Sequence, residues 1–152
     1  GPMNPESNPQ HTKLLQDIDS SWVEFTGRVN DLNDRVFHCR LANMTAMLLP
    51  FRNKASSNGT APSRSSLQIA WAFGLPVVAS SPIDDEPVLR NEENCLLVDE
   101  DDPSAWQSAL ERILNDRALR ETLRKGSLAT AHRFGWDRLA EKHLGLYDRI
   151  SN

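Results

Sequence analysis

The sequence has no apolar run near the ~18 residues that span a membrane, and no signal peptide opens it. It also lacks a basic excess. The net charge is -4 and the sequence pI ≈ 5.5, so no broad positive field is available for a nucleic acid. We therefore expect a soluble, cytoplasmic protein without a membrane span and without nucleic acid as its main partner.

Residues that hold metals or form disulfides are scarce. Cys39 and Cys95 match no Cys/His spacing of a zinc site, and their apolar neighbours predict two buried, reduced thiols. The acidic residues lack the fixed spacing of a calcium loop and predict a solvated rim. They are Asp84, Asp85, Glu86, Glu92, Glu93 and the acids at 99–102. We therefore expect no bound metal and no resident cofactor.

Common catalytic loops are missing as well. The sequence contains no GxGxxG, no phosphate loop ending in GK[ST] and no GxSxG nucleophile turn. The four histidines, His11, His38, His132 and His143, are dispersed and have no carboxylate or serine partner by motif. We assign no catalytic residue, and we expect His38 to be a packing residue on a helix.

The composition is that of one folded domain. A chain of 152 residues with a hydrophobic fraction of 39% can build one core but not two ordinary ones. Residues 1–10, with three prolines, predict a mobile leader, which leaves residues 11–152 as the domain. The opening Gly1-Pro2-Met3 is typical of a protease scar, so we expect a piece of a longer protein.

Residues 47–81 organise the chain. An apolar run ends at Pro50, a Ser-, Asn- and Gly-rich loop follows, and Leu67, Ala70 and Trp71 then recur at helical spacing before Gly74 and a second apolar run. This pattern predicts a β-loop-α-β unit. Such crossovers join parallel strands and place ligands beyond the carboxyl ends of the strands. Residues 54–66 are therefore the best candidate for a binding loop.

The remaining pattern predicts alternating strands and helices, and so an α/β layered sheet with about four mainly parallel strands and an all-helical tail that wraps back over it. Strands are expected at 22–26, 46–50, 76–78 and 95–98, and helices at 11–19, 30–44, 65–73, 103–114, 116–134 and 136–150. Asp102 is the expected cap and Pro103 the first residue of the helix after the last strand.

Periodicity also predicts which side chains are buried. For the helix at 30–44 they are Leu32, Val36, Phe37 and Leu41, and for the helix at 103–114 they are Trp106, Leu110 and Ile113. Phe134, Trp136 and Tyr147 are expected as core anchors of the tail rather than as a platform for stacking sugars.

Five ordered motifs between residues 22 and 150 resemble a known family. They are V-E-F-T-G (23–27), A-x-L-L-P (46–50), S-S-L-x-x-A-x-A-x-G-L-P-V-V-A-S (65–80), N-x-L-L-V-x-x-x-D (94–102) and F-G-W-x-x-x-A-x-x-x-x-x-x-Y (134–147). This succession is similar to the carboxyl-terminal, donor-binding half of retaining GT-B glycosyltransferases of family 4, or group 1. The resemblance implies a truncated Rossmann-like domain that holds a nucleotide-sugar without a protein-held metal.

The resemblance also implies two sets of site residues. Gly27, Arg28 and Val29 would lie beside the nucleotide base, and Gly59, Ser63, Arg64, Ser65 and Ser66 would meet the diphosphate and the sugar. Elementary physics agrees, because a helix start offers unpaired N–H groups and a positive dipole end to a phosphate. An arginine adds a two-pronged donor. The alternative is an ordinary capped helix beside a solvated loop.

Two departures from the family affect the functional reading. The family commonly carries two glutamates separated by seven residues, and those positions fall on Ala61 and Ile69; a branch with Ser and Arg in the loop also lacks them. Two further strands of the family, with a phosphate-binding Arg and Lys, are absent here. Either strands 22–26 and 46–50 pair directly, or another segment or chain fills the gap.

Two hypotheses of function follow. The first is the nucleotide-sugar-binding part of a glycosyltransferase in polysaccharide or glycoconjugate biosynthesis, inactive alone and completed by an amino-terminal GT-B domain or another chain. The second is a degenerate, non-catalytic domain kept for assembly or partner binding, with a homo-oligomer through the sheet edges as one form. A flavodoxin-like domain is disfavoured by the helical tail with F-G-W and Tyr147.

Overall fold

The structure is a computed structural model that describes residues 21, 23, 34–50, 65–80 and 88–150. The chain divides into two compact units, Gly1–Cys39 and Arg40–Asn152. Described helices are α1 (Arg35–Ala42), α2 (Ser65–Ala72), α3 (Pro103–Asn115), α4 (Arg117–Arg133) and α5 (Trp136–Ile150). The predicted leader, the helix at 11–19 and all of the strand at 22–26 except Val23 lie outside the described residues.

Three parallel strands form the sheet of the second unit. They are β1 (Met47–Leu49), β2 (Val77–Ser80) and β3 (Leu96–Val98), in the order β1-β2-β3. Leu48 pairs with Val78, and Val78 pairs with Leu96. Every residue of the central strand is buried, as expected of a parallel strand that is covered on both faces. The predicted α/β class is confirmed.

Helix α2 follows the predicted pattern. Leu67, Ala70 and Trp71 are buried, and the helix is followed by Gly74, whose φ of 63° is left-handed. The Leu75 N–H donates to the Ala70 carbonyl at 2.9 Å and the Gly74 N–H to the Trp71 carbonyl at 3.0 Å. These bonds form a Schellman motif, which explains why a glycine separates this helix from β2.

The core beneath the sheet differs slightly from prediction. Its buried residues are Val78, Leu96, Ala109, Ile113 and Leu123. In α3, Ile113 is buried as predicted, but Trp106 and Leu110 are only half-buried, and the small Ala109 is buried in their place. Ala109 packs in one buried cluster with Val78 and Leu96, and a small side chain suits close packing between a helix and a sheet.

Helix α1 is shorter and less buried than predicted. Leu41 is buried as expected, whereas Val36 is 60% exposed, Phe37 is half-buried, and His38 and Cys39 are exposed. The predictions for Val36, His38 and Cys39 are therefore wrong. Burial is confined to the last turn of this eight-residue helix, so apolar residues one turn earlier remain in contact with water.

Cys95 is the buried thiol that the sequence predicted. It is fully buried, and its S–H donates to the Arg90 carbonyl at 3.6 Å. Burial disfavours the thiolate and raises the pKa of Cys95 to about 12. A thiol with so high a pKa is a poor nucleophile and a poor metal ligand at neutral pH.

Helix α4 approaches the backbone before β3 very closely. A Cβ on Gly126 would overlap the carbonyl oxygen of Glu93 and lie 3.1 Å from the Asn94 Cα. The buried Ser127 hydroxyl donates to the Leu75 carbonyl at 3.0 Å, and the Asn94 amide donates to the Thr130 hydroxyl at 2.9 Å. These contacts fasten α4 to the amino edge of the sheet.

Asp102 caps α3 as predicted, with Pro103 at the first helical position. Its carboxylate accepts from the Ser104 hydroxyl at 2.6 Å and from the backbone N–H groups of Ser104 at 2.9 Å and Ala105 at 3.2 Å. The bond from the Ser104 hydroxyl, followed by the one from the Ala105 N–H, lowers the pKa of Asp102 below the usual 3.8.

The depressed pKa of Asp102 predicts a pH-dependent contribution to stability. The contribution is present above the unfolded pKa of about 3.8 and is lost as the pH falls through the lower native pKa. We expect Asp102→Asn, which keeps a side-chain oxygen acceptor, to flatten the loss of stability below about pH 4. Chemical denaturation of both proteins between about pH 3 and pH 7 measures this; parallel curves would contradict it.

The last helix, α5, does not pack as predicted. None of its residues is buried, and Phe134, Trp136 and Tyr147 are 47%, 84% and 60% exposed. The expectation that these three aromatic residues anchor the core is therefore wrong, and only α3 and α4 of the tail cover the sheet. None of the described helices combines the length and apolar character needed to cross a bilayer.

Candidate functional site

The carboxyl edge of the sheet is the candidate site. Because β1, β2 and β3 are parallel, their last residues, Leu49, Ser80 and Val98, lie at one edge. Helices α2 and α3 run back from this edge, so their N-termini lie near it. Such an edge is where open α/β sheets bind ligands.

The two helix N-termini at this edge differ in charge. The N-terminus of α3 follows the acids at 99–102, and Asp102 already occupies its first N–H groups. The N-terminus of α2 has no acidic residue in its first turn and begins with the exposed Ser65 and Ser66. An anion is therefore attracted to α2 and repelled from α3.

Ser80 is a polar residue at this edge that the sequence analysis did not assign to the site. It ends β2 and is fully buried. The sequence signal for Ser80 was a serine at the end of the otherwise apolar run V-V-A-S. Buried polar side chains are normally hydrogen-bonded, so Ser80 helps to fix the end of the central strand.

The described residues include two of the predicted site residues, Ser65 and Ser66, which stand together at the start of α2. The others lie outside the described residues: Gly27, Arg28, Val29, Gly59, Ser63 and Arg64. Ile69, at the position of the family's second glutamate, is half-buried on α2. Its apolar side chain offers no carboxylate to a ribose or a sugar.

Acidic residues near this edge do not gather into a cation site. Among residues 34–50, 65–80 and 88–150, no group of three or more His, Cys, Asp or Glu side chains is placed to hold a metal ion. Asp99 instead accepts from the backbone N–H of Asp101 at 3.0 Å. This bond shapes the turn before α3.

Two open cavities lie near the amino ends of the strands, away from the candidate edge. One of about 160 Å³ borders Arg90, Asn94 and Arg133. The other, of about 240 Å³, borders Thr45, Phe73 and Arg124. In the first, the Asn94 amide is already bonded to the Val88 carbonyl and the Thr130 hydroxyl. These cavities provide a reference region for mapping where a ligand binds.

A parallel α/β sheet with a helix N-terminus at its carboxyl edge defines the class of open α/β domains, which bind their ligands at that edge. Comparison with known proteins gives the family. The family model of "Glycosyl transferases group 1" matches residues 1–116. The chain belongs to this family, which confirms the family resemblance; four of the five sequence motifs lie within the matched residues.

Curated relatives carry names of the same kind. The chain is 39% identical over 80 residues to a D-inositol 3-phosphate glycosyltransferase of Nocardioides sp., covering 53% of this chain and 18% of that protein. It is 42% identical over 76 residues to the protein of that name from Acidothermus cellulolyticus, covering 50% of this chain and 17% of that protein. The match therefore spans less than a fifth of these relatives.

Two further comparisons extend the picture. The lipopolysaccharide core biosynthesis glycosyltransferase LpsD of Rhizobium meliloti is 34% identical over 80 residues, covering 52% of this chain and 23% of that protein. A solved sucrose-phosphate synthase from Thermosynechococcus elongatus matches with a TM-score of 0.73 at 23% identity, covering 99% of this chain and 37% of that one. This likeness shows that the fold is shared with part of a larger enzyme.

Proposed function

We propose that this chain is the nucleotide-sugar-binding part of a glycosyltransferase. The observation that carries the proposal is the start of α2: an acid-free helix N-terminus with Ser65 and Ser66 exposed at the carboxyl edge of a parallel sheet. Backbone N–H groups and the helix dipole at this point suit the diphosphate of the donor. The group 1 family and the names of the relatives support the same reaction class.

In this proposal the chain supplies the leaving-group side of the reaction. Negative charge grows on the departing diphosphate as the sugar is transferred, and fixed N–H donors stabilise that charge without reorganising. Arg64, Ser63 and Gly59 precede α2 in the sequence and complete the anion cradle, with residues 27–29 beside the base. No metal and no resident cofactor is part of this proposal.

The acceptor side is proposed to come from elsewhere. The matched relatives and the solved enzyme are several times longer than their matched parts, so an amino-terminal GT-B domain or another chain has room to supply it and to complete the sheet. The relatives' names mention D-inositol 3-phosphate and lipopolysaccharide core biosynthesis. We expect a comparable role in glycoconjugate synthesis, in the cytoplasm, and no turnover by this chain alone.

Calorimetric titration tests donor binding. UDP-, GDP- and ADP-glucose are each titrated into the chain, with free glucose and the matching nucleoside as controls. We expect one diphosphate sugar to bind with a dissociation constant of about 1 mM or below, or about -4 kcal/mol, and more weakly at high salt because the contact is electrostatic. Equal heats for the diphosphate sugar and the nucleoside control would contradict the diphosphate contact.

A non-catalytic interaction module is the second candidate, and one observation favours it. Ile69 places a half-buried apolar side chain where the resemblance implies that the family commonly carries a glutamate. A domain without this contact holds its donor less tightly. Absence of any binding heat at about 5 mM of all three nucleotide-sugars would favour this candidate, because binding weaker than that leaves too little stabilisation for a donor site.

A further inference from the structure

We draw no further inference here: the strongest candidate, the open cavity of about 160 Å³ between residues 88–94 and the carboxyl end of α4, carries none, because its Arg90 guanidinium is already paired with Glu93 at 3.2 Å, its Asn94 amide is already hydrogen-bonded to Val88 and Thr130, and nothing in the described residues shows what would occupy it.

Discussion

Gly126→Ala is expected to lower the free energy of unfolding by about 2–3 kcal/mol, although alanine is the better helix former by about 1 kcal/mol. The added Cβ would overlap the carbonyl oxygen of Glu93 and meet the Asn94 Cα at 3.1 Å. That backbone has little freedom to move, because the N–H groups of Glu93 and Asn94 both donate to the Arg90 carbonyl at 3.1 Å. Helix α4 would have to shift away from the sheet.

Gly145→Ala is the matched control. Gly145 is also inside a helix, but its Cβ would have no neighbour within 4 Å. Without a steric cost, the substitution should stabilise α5 by up to about 1 kcal/mol. Denaturant unfolding monitored by circular dichroism measures both variants. If both variants were stabilised alike, the close approach of α4 to residues 93–94 would be contradicted.

The second large effect is expected at the start of α2. Ser66→Asp places a negative charge in the first turn of a helix that has no acidic residue there. The charge should slightly stabilise the helix through its dipole and at the same time repel the donor diphosphate. We expect the affinity for the nucleotide-sugar to fall by at least about tenfold, while the thermal unfolding temperature stays equal or rises.

Ser66→Asn separates charge from shape at this position. Asparagine is similar in size to aspartate but neutral, so it should weaken donor binding far less. Calorimetric titration of the wild-type chain and both variants under the same salt gives the comparison. Equal affinities for all three proteins would show that the diphosphate does not lie at the start of α2. A loss that comes with unfolding would show instead that Ser66 acts through stability.

Local chemistry made much of the fold predictable. Asp102 followed by Pro103 indicated where α3 begins, and the structure has the helix start and the cap at those residues. Gly74 between a helical period and an apolar run indicated the turn that separates α2 from β2, and the structure gives this glycine a left-handed φ of 63°. Such signals depend on the backbone of a few neighbouring residues, so they do not require knowledge of the tertiary fold.

Burial was harder to predict than helix starts and turns, because it depends on which element packs against each face of a helix. Trp136 has a strongly apolar side chain and helical spacing, yet it is 84% exposed because α5 has nothing to pack against in the described structure. Cys39 was expected to be buried like Cys95, but it lies on an exposed part of α1. The close approach of Gly126 to the backbone of residues 93–94 could not be predicted, because its only sequence signal is a glycine within a helical pattern.

Only the helical end of the candidate site lies on residues that the structure describes. Ser65 and Ser66 begin α2 as the periodic pattern indicated, because a helix start follows from local signals. The loop positions Gly59, Ser63 and Arg64 were assigned by family resemblance, and loop geometry is set by the ligand and by neighbouring elements rather than by periodicity. Their role remains a prediction of the proposed function.

The most direct measurement is a map of backbone amide chemical shifts during titration of the whole chain with the nucleotide-sugar that binds. The proposed function predicts saturable shifts centred on residues 63–67 and 27–29, with Ser65 and Ser66 among the largest. Residues around the amino-edge cavities, such as Arg90 and Phe73, should not shift. Shifts confined to that edge, or none at about 5 mM ligand, would contradict it.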